Sequence, residues 1–263
     1  MKIDHKDSYK DFGEQFQKDN KVDGYWGSID MLKDIVSPFQ LSNIKNKKIM
    51  EVGIGSGRIL KNLISFFPSK ATGIEPSNAI DVAKKNIDSK NIEFLNIKGE
   101  NINFNEEYDF VFSLGVIHHI PNYEVVLRNI YKSLKKNGEF IIWVYGKEGN
   151  ETYLFIFNNL RRITILMPDF ILRILSHILN IVSYLYEFLC NFFPLPLKKY
   201  FGQVFGKCSF EKRSYIIFDQ LNPSYSKYFT KEELSDVLQK TGFKDITTHH
   251  RHGYSWTAIA KKK

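Results

Sequence analysis

From Lys48 to Tyr145, short apolar runs alternate with stretches whose apolar residues recur at helical spacing. The runs Lys48–Met50, Ala71–Ile74, Ile92–Ile97, Tyr108–Leu114 and Glu139–Tyr145 read as five strands. Between the first two, Ile59, Leu60, Leu63, Ile64 and Phe67 mark one face of a helix over Arg58–Phe67, and Pro68 ends it. Pro76 opens a second helix with Ala79, Ile80, Ala83 and Ile87 inward. A third helix covers Glu124–Lys136, with Asn137-Gly138 as its stop. The fifth run is apolar on both faces, as a buried parallel strand requires. This alternation predicts an α/β class chain: a doubly wound, mostly parallel sheet with helices on both sides.

After Tyr145 the pattern changes, and it returns only at Thr230. Thr230-Lys-Glu-Glu233 is a capping box opening a helix with Leu234, Val237 and Leu238 inward and Gly242 at its stop. Phe243–His250 and Tyr254–Ala260 then supply two more strands around Arg251-His252-Gly253, which makes a seven-stranded sheet. The chain divides into an N-terminal helical cap (1–40), a core domain (41–145 and 230–263) and a largely helical insertion after strand five (146–229). The insertion is dense in Ile, Leu, Phe and Tyr over Thr152–Phe157 and Phe170–Phe193. A span needs about 20 predominantly apolar residues. Arg173, His177, Asn180 and Glu187, with Pro168, Pro194 and Pro196 at the flanks, argue against one here. A helical lid over the core domain is the expectation. A dimer interface and an interfacial membrane contact are the alternatives, the latter suiting the basic flanks Arg161-Arg162 and Lys198-Lys199.

The strand–helix corner at Glu51-Val-Gly-Ile-Gly-Ser-Gly57 carries the chemistry. Glycines let a turn be tight and let a ligand touch main chain. A dinucleotide fingerprint is Gly-x-Gly-x-x-Gly. Here the third glycine comes one residue early and Arg58 holds the dinucleotide position. Glu51 has no role in that fingerprint, but an amino-acid ammonium group would give it one. S-adenosylmethionine (SAM) has such a group and no pyrophosphate. Glu75, at the carboxyl end of the second strand, stands where ribose hydroxyls are gripped in doubly wound sheets. Glu100 would accept from an adenine amine, or else be a solvated loop carboxylate. A loop that merely turns the chain is the plain alternative for the glycines.

Taken together, Glu51–Gly57, Glu75, Gly99-Glu100, Tyr108–Ser113, His118-His119-Ile120 and Leu134–Phe140 resemble the ordered motifs of class I SAM-dependent methyltransferases. The resemblance covers roughly residues 45–145 and 230–260, and it implies a Rossmann-like fold and SAM as cofactor. It assigns Glu51, Gly53, Gly55 and Gly57 to the methionine end and Glu75, with Pro76 beside it, to the ribose. Glu100 and Asn101 fall by adenine, Ser113 and Leu114 near the sulfonium, and Tyr25 over the methionine end, with Tyr9 as the other candidate there. Position 100 departs from the family in being glutamate rather than the commoner aspartate. A weaker likeness, in Asn222–Tyr228 and Gly253–Trp256, is to methyltransferases of surface-polysaccharide and secondary-metabolite pathways.

Composition narrows this only a little. The two cysteines, Cys190 and Cys208, exclude a disulfide framework and suit a reducing compartment. Met1–Asn20 is polar and charged without an apolar stretch, so a cytoplasmic location is expected, at most peripheral to a membrane's inner face. The net charge of +8 favours anionic partners.

Methyl transfer to a neutral hydroxyl needs alignment and removal of a proton. His118 and His119, just after the fourth strand, are the candidates for that base, with a purely structural role as the alternative. Arg161, Arg162, Tyr225, Tyr228 and Arg251 form a basic-aromatic set suited to an anionic acceptor, or, for Arg251, an ordinary hairpin surface. The functional expectation is O-methylation of a small polar or anionic acceptor such as a sugar, sugar nucleotide or phosphate-like group. No nucleic acid and no metal are expected, and the oligomeric state is open. RNA or protein methylation and a non-catalytic SAM-binding scaffold are the rival expectations. No Asn-Pro-Pro-Tyr-type motif follows the fourth strand, which ends in Ser113-Leu114-Gly115.

Overall fold

A computed structural model describes residues 24–164, 166–221 and 225–263. The expectations at Tyr9 and over 222–224 lie outside these residues, as does most of the 1–40 segment. The chain separates into two compact units. The first runs to Tyr145 and takes in 224–251 and 256–263, while the second holds 146–223 and 252–255.

The first unit is built on seven strands in the order β3-β2-β1-β4-β5-β7-β6. They are β1 (Lys48–Val52), β2 (Lys70–Ile74), β3 (Ile92–Leu95), β4 (Tyr108–Leu114), β5 (Leu134–Tyr145), β6 (Lys244–Arg251) and β7 (Ser255–Lys261). The first five are parallel, with Glu51 opposite Gly73 on β2 and Phe112 on β4. The crossovers hold α1 (Ile29–Val36) before β1, α2 (Arg58–Ile64), α3 (Ala79–Asn86) and α4 (Tyr123–Ser133), and α9 (Lys231–Thr241) precedes β6. This is the doubly wound, Rossmann-like sheet with a helical insertion after β5 that the pattern predicts. Its core gathers Met50, Val52, Val111, Phe140, Ile142 and Phe243, all almost wholly buried. Residues of this kind alternate on both faces because helices cover both sides.

Two boundaries differ from the sequence reading for identifiable reasons. The third crossover helix ends at Ser133, not Lys136, because Asn137-Gly138 is a bulge in an early β5 rather than a helix stop. Tyr108 faces Leu134 while Phe110 faces Glu139, so β5 carries extra residues between them. Asn137 takes φ of +64° and its N–H donates to the Lys262 carbonyl at 2.7 Å, so the bulge is pinned to the residue that follows β7. Pro76 does not open α3. The Ser77 hydroxyl accepts from Ala79 N–H at 3.2 Å, and the helix begins two residues later. The capping box of α9 is as read: Thr230 Oγ1 accepts from Glu233 N–H at 3.1 Å and Glu233 Oε2 from Thr230 N–H at 3.0 Å.

The second unit is helical: α5 (Glu151–Thr164), α6 (Asp169–Phe192), α7 (Lys198–Gln203) and α8 (Phe210–Leu221). Leu172, Phe205, Ile217 and Leu221 form its small core. No helix among the described residues is long and apolar enough to cross a membrane.

Candidate active site at the carboxyl ends of β1, β2 and β4

Glu51 sits near the end of β1 and is 1% exposed. Its Oε2 has no hydrogen-bond partner among the described residues. Burial pushes the carboxyl up to about 8; the Arg58 guanidinium pulls the other way and Glu75 adds to the rise. A carboxylate this deep without a donor costs free energy unless a cation or donor meets it.

The glycine loop that follows is held open by its own constraints. Gly53 and Ile54 N–H both donate to the Ile74 carbonyl, at 2.8 and 3.1 Å. Gly53 has φ of +81°, and a Cβ there would lie 2.5 Å from the Val116 methyls. Gly57 (φ +82°) starts α2, and a Cβ there would press on Ala83 and Ile87. Only glycine fits either position. The Gly55 N–H donates to Glu75 Oε2 at 3.0 Å. Glu75 Oε1 accepts from the Ser77 N–H (3.0 Å) and hydroxyl (2.6 Å). Burial raises the Glu75 pKa, and the bonds from Ser77 and Gly55 oppose the rise. The two oxygens of a carboxylate offer about four acceptor sites, so these three bonds leave room for a further donor. Pro76 beside it is half-buried.

Glu100 and Asn101 lie in a tight turn (Gly99–Asn101) after β3, Glu100 half-buried and Asn101 exposed. Asn129 of α4 fixes the turn by donating to the Glu100 carbonyl at 2.7 Å. Ser113 is buried and its hydroxyl bonds the Val52 carbonyl at 3.2 Å, tying β4 to the end of β1; Leu114 is buried next to it. Tyr25 stands in a turn (Tyr25–Gly27) held against α2: Arg58 donates to the Trp26 carbonyl and lies over its ring at 5.2 Å, and Asn62 donates to the Gly27 carbonyl at 2.8 Å.

The two histidines are unequal. His118 is fully buried between the rings of His119 (4.2 Å) and Tyr145 (4.1 Å), and neither ring nitrogen has a hydrogen-bond partner among the described residues. Burial, helped by His119, holds its pKa well below the usual histidine value, so it is a neutral imidazole at pH 7. His119 is half-buried, and its Nδ1 faces the Tyr225 carbonyl at 2.9 Å. A carbonyl can only accept, so Nδ1 carries the hydrogen and Nε2 is the atom able to take up a proton. The Lys227 N–H donates to the His118 carbonyl at 2.8 Å, and Tyr228 stacks on Tyr145. Ser226, between the backbone links made by Tyr225 and Lys227, has a buried hydroxyl without a partner among the described residues.

The structure thus brings Tyr225 and Tyr228 to the histidine pair. It does not offer Arg251 to a ligand. Arg251 is 1% exposed, and its Nε donates to Asp34 Oδ2 of α1 at 2.9 Å, with Nη2 on the same oxygen. Arg161 and Arg162 belong to the helical unit. Arg161 joins α5 to α8 through the Gln220 carbonyl (2.8 Å), and Arg162 is exposed. The sequence reading missed Arg58, Ser77, Tyr145 and Ser226. Arg58 alone had a signal, its place directly after the third glycine.

Residues 50–142 match the family model described as "Methyltransferase domain". A tRNA U34 carboxymethyltransferase of Nautilia profundicola is 28% identical over 134 residues, covering 49% of this chain and 44% of that protein. A malonyl-[acyl-carrier protein] O-methyltransferase of Bacillus cereus is 28% identical over 103 residues, covering 38% of each. The chain spans under half the length of these curated relatives. The fold is similar to that of human N-acetylserotonin methyltransferase in complex with SAM, with a TM-score of 0.56 at 15% identity, covering 95% of this chain and 55% of that one.

Proposed function

We propose, from the premise that residues 50–142 form a class I SAM-dependent methyltransferase domain, that the chain methylates an acceptor at the carboxyl ends of β4 and β5. The observation that carries the SAM reading is Glu51. A buried carboxylate lacking a donor, beside a loop in which side chains would collide, fits an ammonium-bearing ligand that touches backbone. Glu51 would hold that ammonium group, Glu75 the ribose hydroxyls, and the Gly99–Asn101 turn the adenine edge. When bound, SAM supplies a methyl on a positively charged sulfur, which an acceptor lone pair displaces in line. His119 Nε2 takes the acceptor's proton where the acceptor is a neutral hydroxyl. His118, neutral throughout, packs the floor and presents hydrogen-bonding atoms without holding a charge.

For the acceptor, the names of the relatives favour RNA over the small-molecule expectation, and they lend no support to a polysaccharide role. The net charge of +8 suits a phosphate backbone. A small anionic acceptor is the second reading, favoured by the relative named for O-methylation of a carrier-bound malonyl group. Incubation with methyl-labelled SAM and either bulk tRNA or a panel of small carboxylates and sugar nucleotides separates them. Label in tRNA, lost with His119→Ala at unchanged SAM affinity, supports the first reading. Label only in small acceptors overturns it in favour of the second. Label in neither, at full SAM affinity, contradicts both.

A further inference from the structure

Helix α6 is built inside out. Its narrow polar stripe faces inward: Ser176, Asn180 and Ser183 are buried. Asn180 donates to the Phe210 carbonyl and the Ser214 hydroxyl, both at 2.8 Å, and Glu187 pairs with the buried Arg213 of α8 at 2.8 Å. The large apolar side chains point the other way. Ile174, Ile178, Ile181, Leu185, Phe188 and Phe192 are each 52–66% exposed. A helix of 24 residues is about 36 Å long. Proteins rarely leave so long a continuous apolar face in water unless something covers it.

We propose that this face lies in the headgroup–acyl boundary of an anionic lipid bilayer, so that the helical unit is a peripheral membrane contact. Three observations select lipid over a second copy of the chain. The face is wide: Phe170 and Val182 beside the stripe are also exposed and apolar. A two-stranded seam is narrower and carries residues of both charges along its edges to set partner and register; here that edge holds His177, Tyr184, Asn191 and the exposed Arg173, with no acid to pair with it. The basic residues collect instead near the two ends of the apolar segment, as exposed Arg162 before it and exposed Lys198 and Lys199 after it. That is complementary to anionic headgroups, as is the net charge of +8. Finally, the exposed aromatics Phe170, Phe188, Phe192 and Phe193 are the residue type that enriches such interfacial faces. With no described helix able to cross, the helix lies along the surface. The inference does not rest on the identity of the methyl acceptor.

The test is co-sedimentation of the full chain with sucrose-loaded vesicles, either phosphatidylcholine alone or phosphatidylcholine with about one-third phosphatidylglycerol. Light scattering of the vesicle-free protein runs alongside. Pelleting with the anionic vesicles is expected, at least about tenfold stronger than with neutral ones and weakened by salt. The exposed-face variant Ile174→Glu/Ile181→Glu/Phe188→Glu should lose it while melting as the wild type does. Lys198→Glu/Lys199→Glu, which leaves the apolar face intact, should weaken it. Pelleting with neither vesicle overturns the proposal in either of two forms: with a monomer in solution, or with a dimer that the triple variant dissolves. The second would assign the face to another copy of this chain.

Discussion

Glu51 is buried with a carboxylate oxygen that no donor among the described residues meets, and two predictions follow from it. Its carboxyl titrates near 8 in the ligand-free fold against 4.5 in the unfolded chain. The unfolded state therefore ionises first as pH rises. The penalty for burying the group is absent below about 4.5, grows through the interval and is complete above 8. Glu51→Gln should thus raise the ligand-free Tm at pH 8, by on the order of a few kcal/mol of stability, and leave it almost unchanged at pH 4. The same variant should weaken SAM binding at least about tenfold, since it removes the charged partner of the ammonium group. A variant with unchanged affinity would take Glu51 out of the site. At Arg251 the direction is the reverse. Arg251→Ala empties the space of a fully buried side chain and takes the guanidinium away from the partly exposed Asp34, so it should cost about 3 kcal/mol in a denaturant titration. Arg251→Met should cost less, because its side chain fills most of the space that alanine leaves empty. A fully stable Arg251→Ala protein would return the residue to the acceptor.

At the scale of elements, the strand–loop–helix corner and the α9 capping box act locally. Gly53→Val should abolish SAM binding by driving a side chain into Val116, at a position where φ is already left-handed. Calorimetry showing wild-type affinity would contradict the loop's role. Thr230→Ala should lower stability by about 1 kcal/mol through lost capping, with SAM affinity unchanged. Such features were legible because their causes are local: apolar periodicity, a glycine string, a cap three residues from its partner. What depended on distant chain was not. Asn137-Gly138 reads as a helix stop until β7 arrives to bond its backbone. Arg251 reads as an acceptor-binding arginine, or else as hairpin surface, until Asp34, 217 residues away, takes its guanidinium. His118 and His119 are adjacent and look interchangeable. Only the packing of Tyr145 and the 225–229 segment makes one a buried neutral ring and the other a bonded, half-open one.

For the whole molecule, the sheet order is that of the Rossmann-like methyltransferase fold and residues 50–142 match a methyltransferase domain, while the exposed apolar face of the helical unit is the surface proposed to meet lipid. The measurement that tests the central claim most directly is calorimetric titration of the wild-type protein, stripped of copurified ligand, with SAM between pH 6 and 9. Buffers of different ionisation enthalpy reveal any proton exchange. An ammonium group selects the ionised form of Glu51. Binding should therefore release close to one proton near pH 6.5 and tighten as pH rises toward about 8, with the release vanishing above that, where Glu51 is already ionised and the ligand's own amine begins to lose its charge. Binding with no proton release anywhere in that range would mean that the ammonium does not meet Glu51. No binding at all would contradict the SAM site itself.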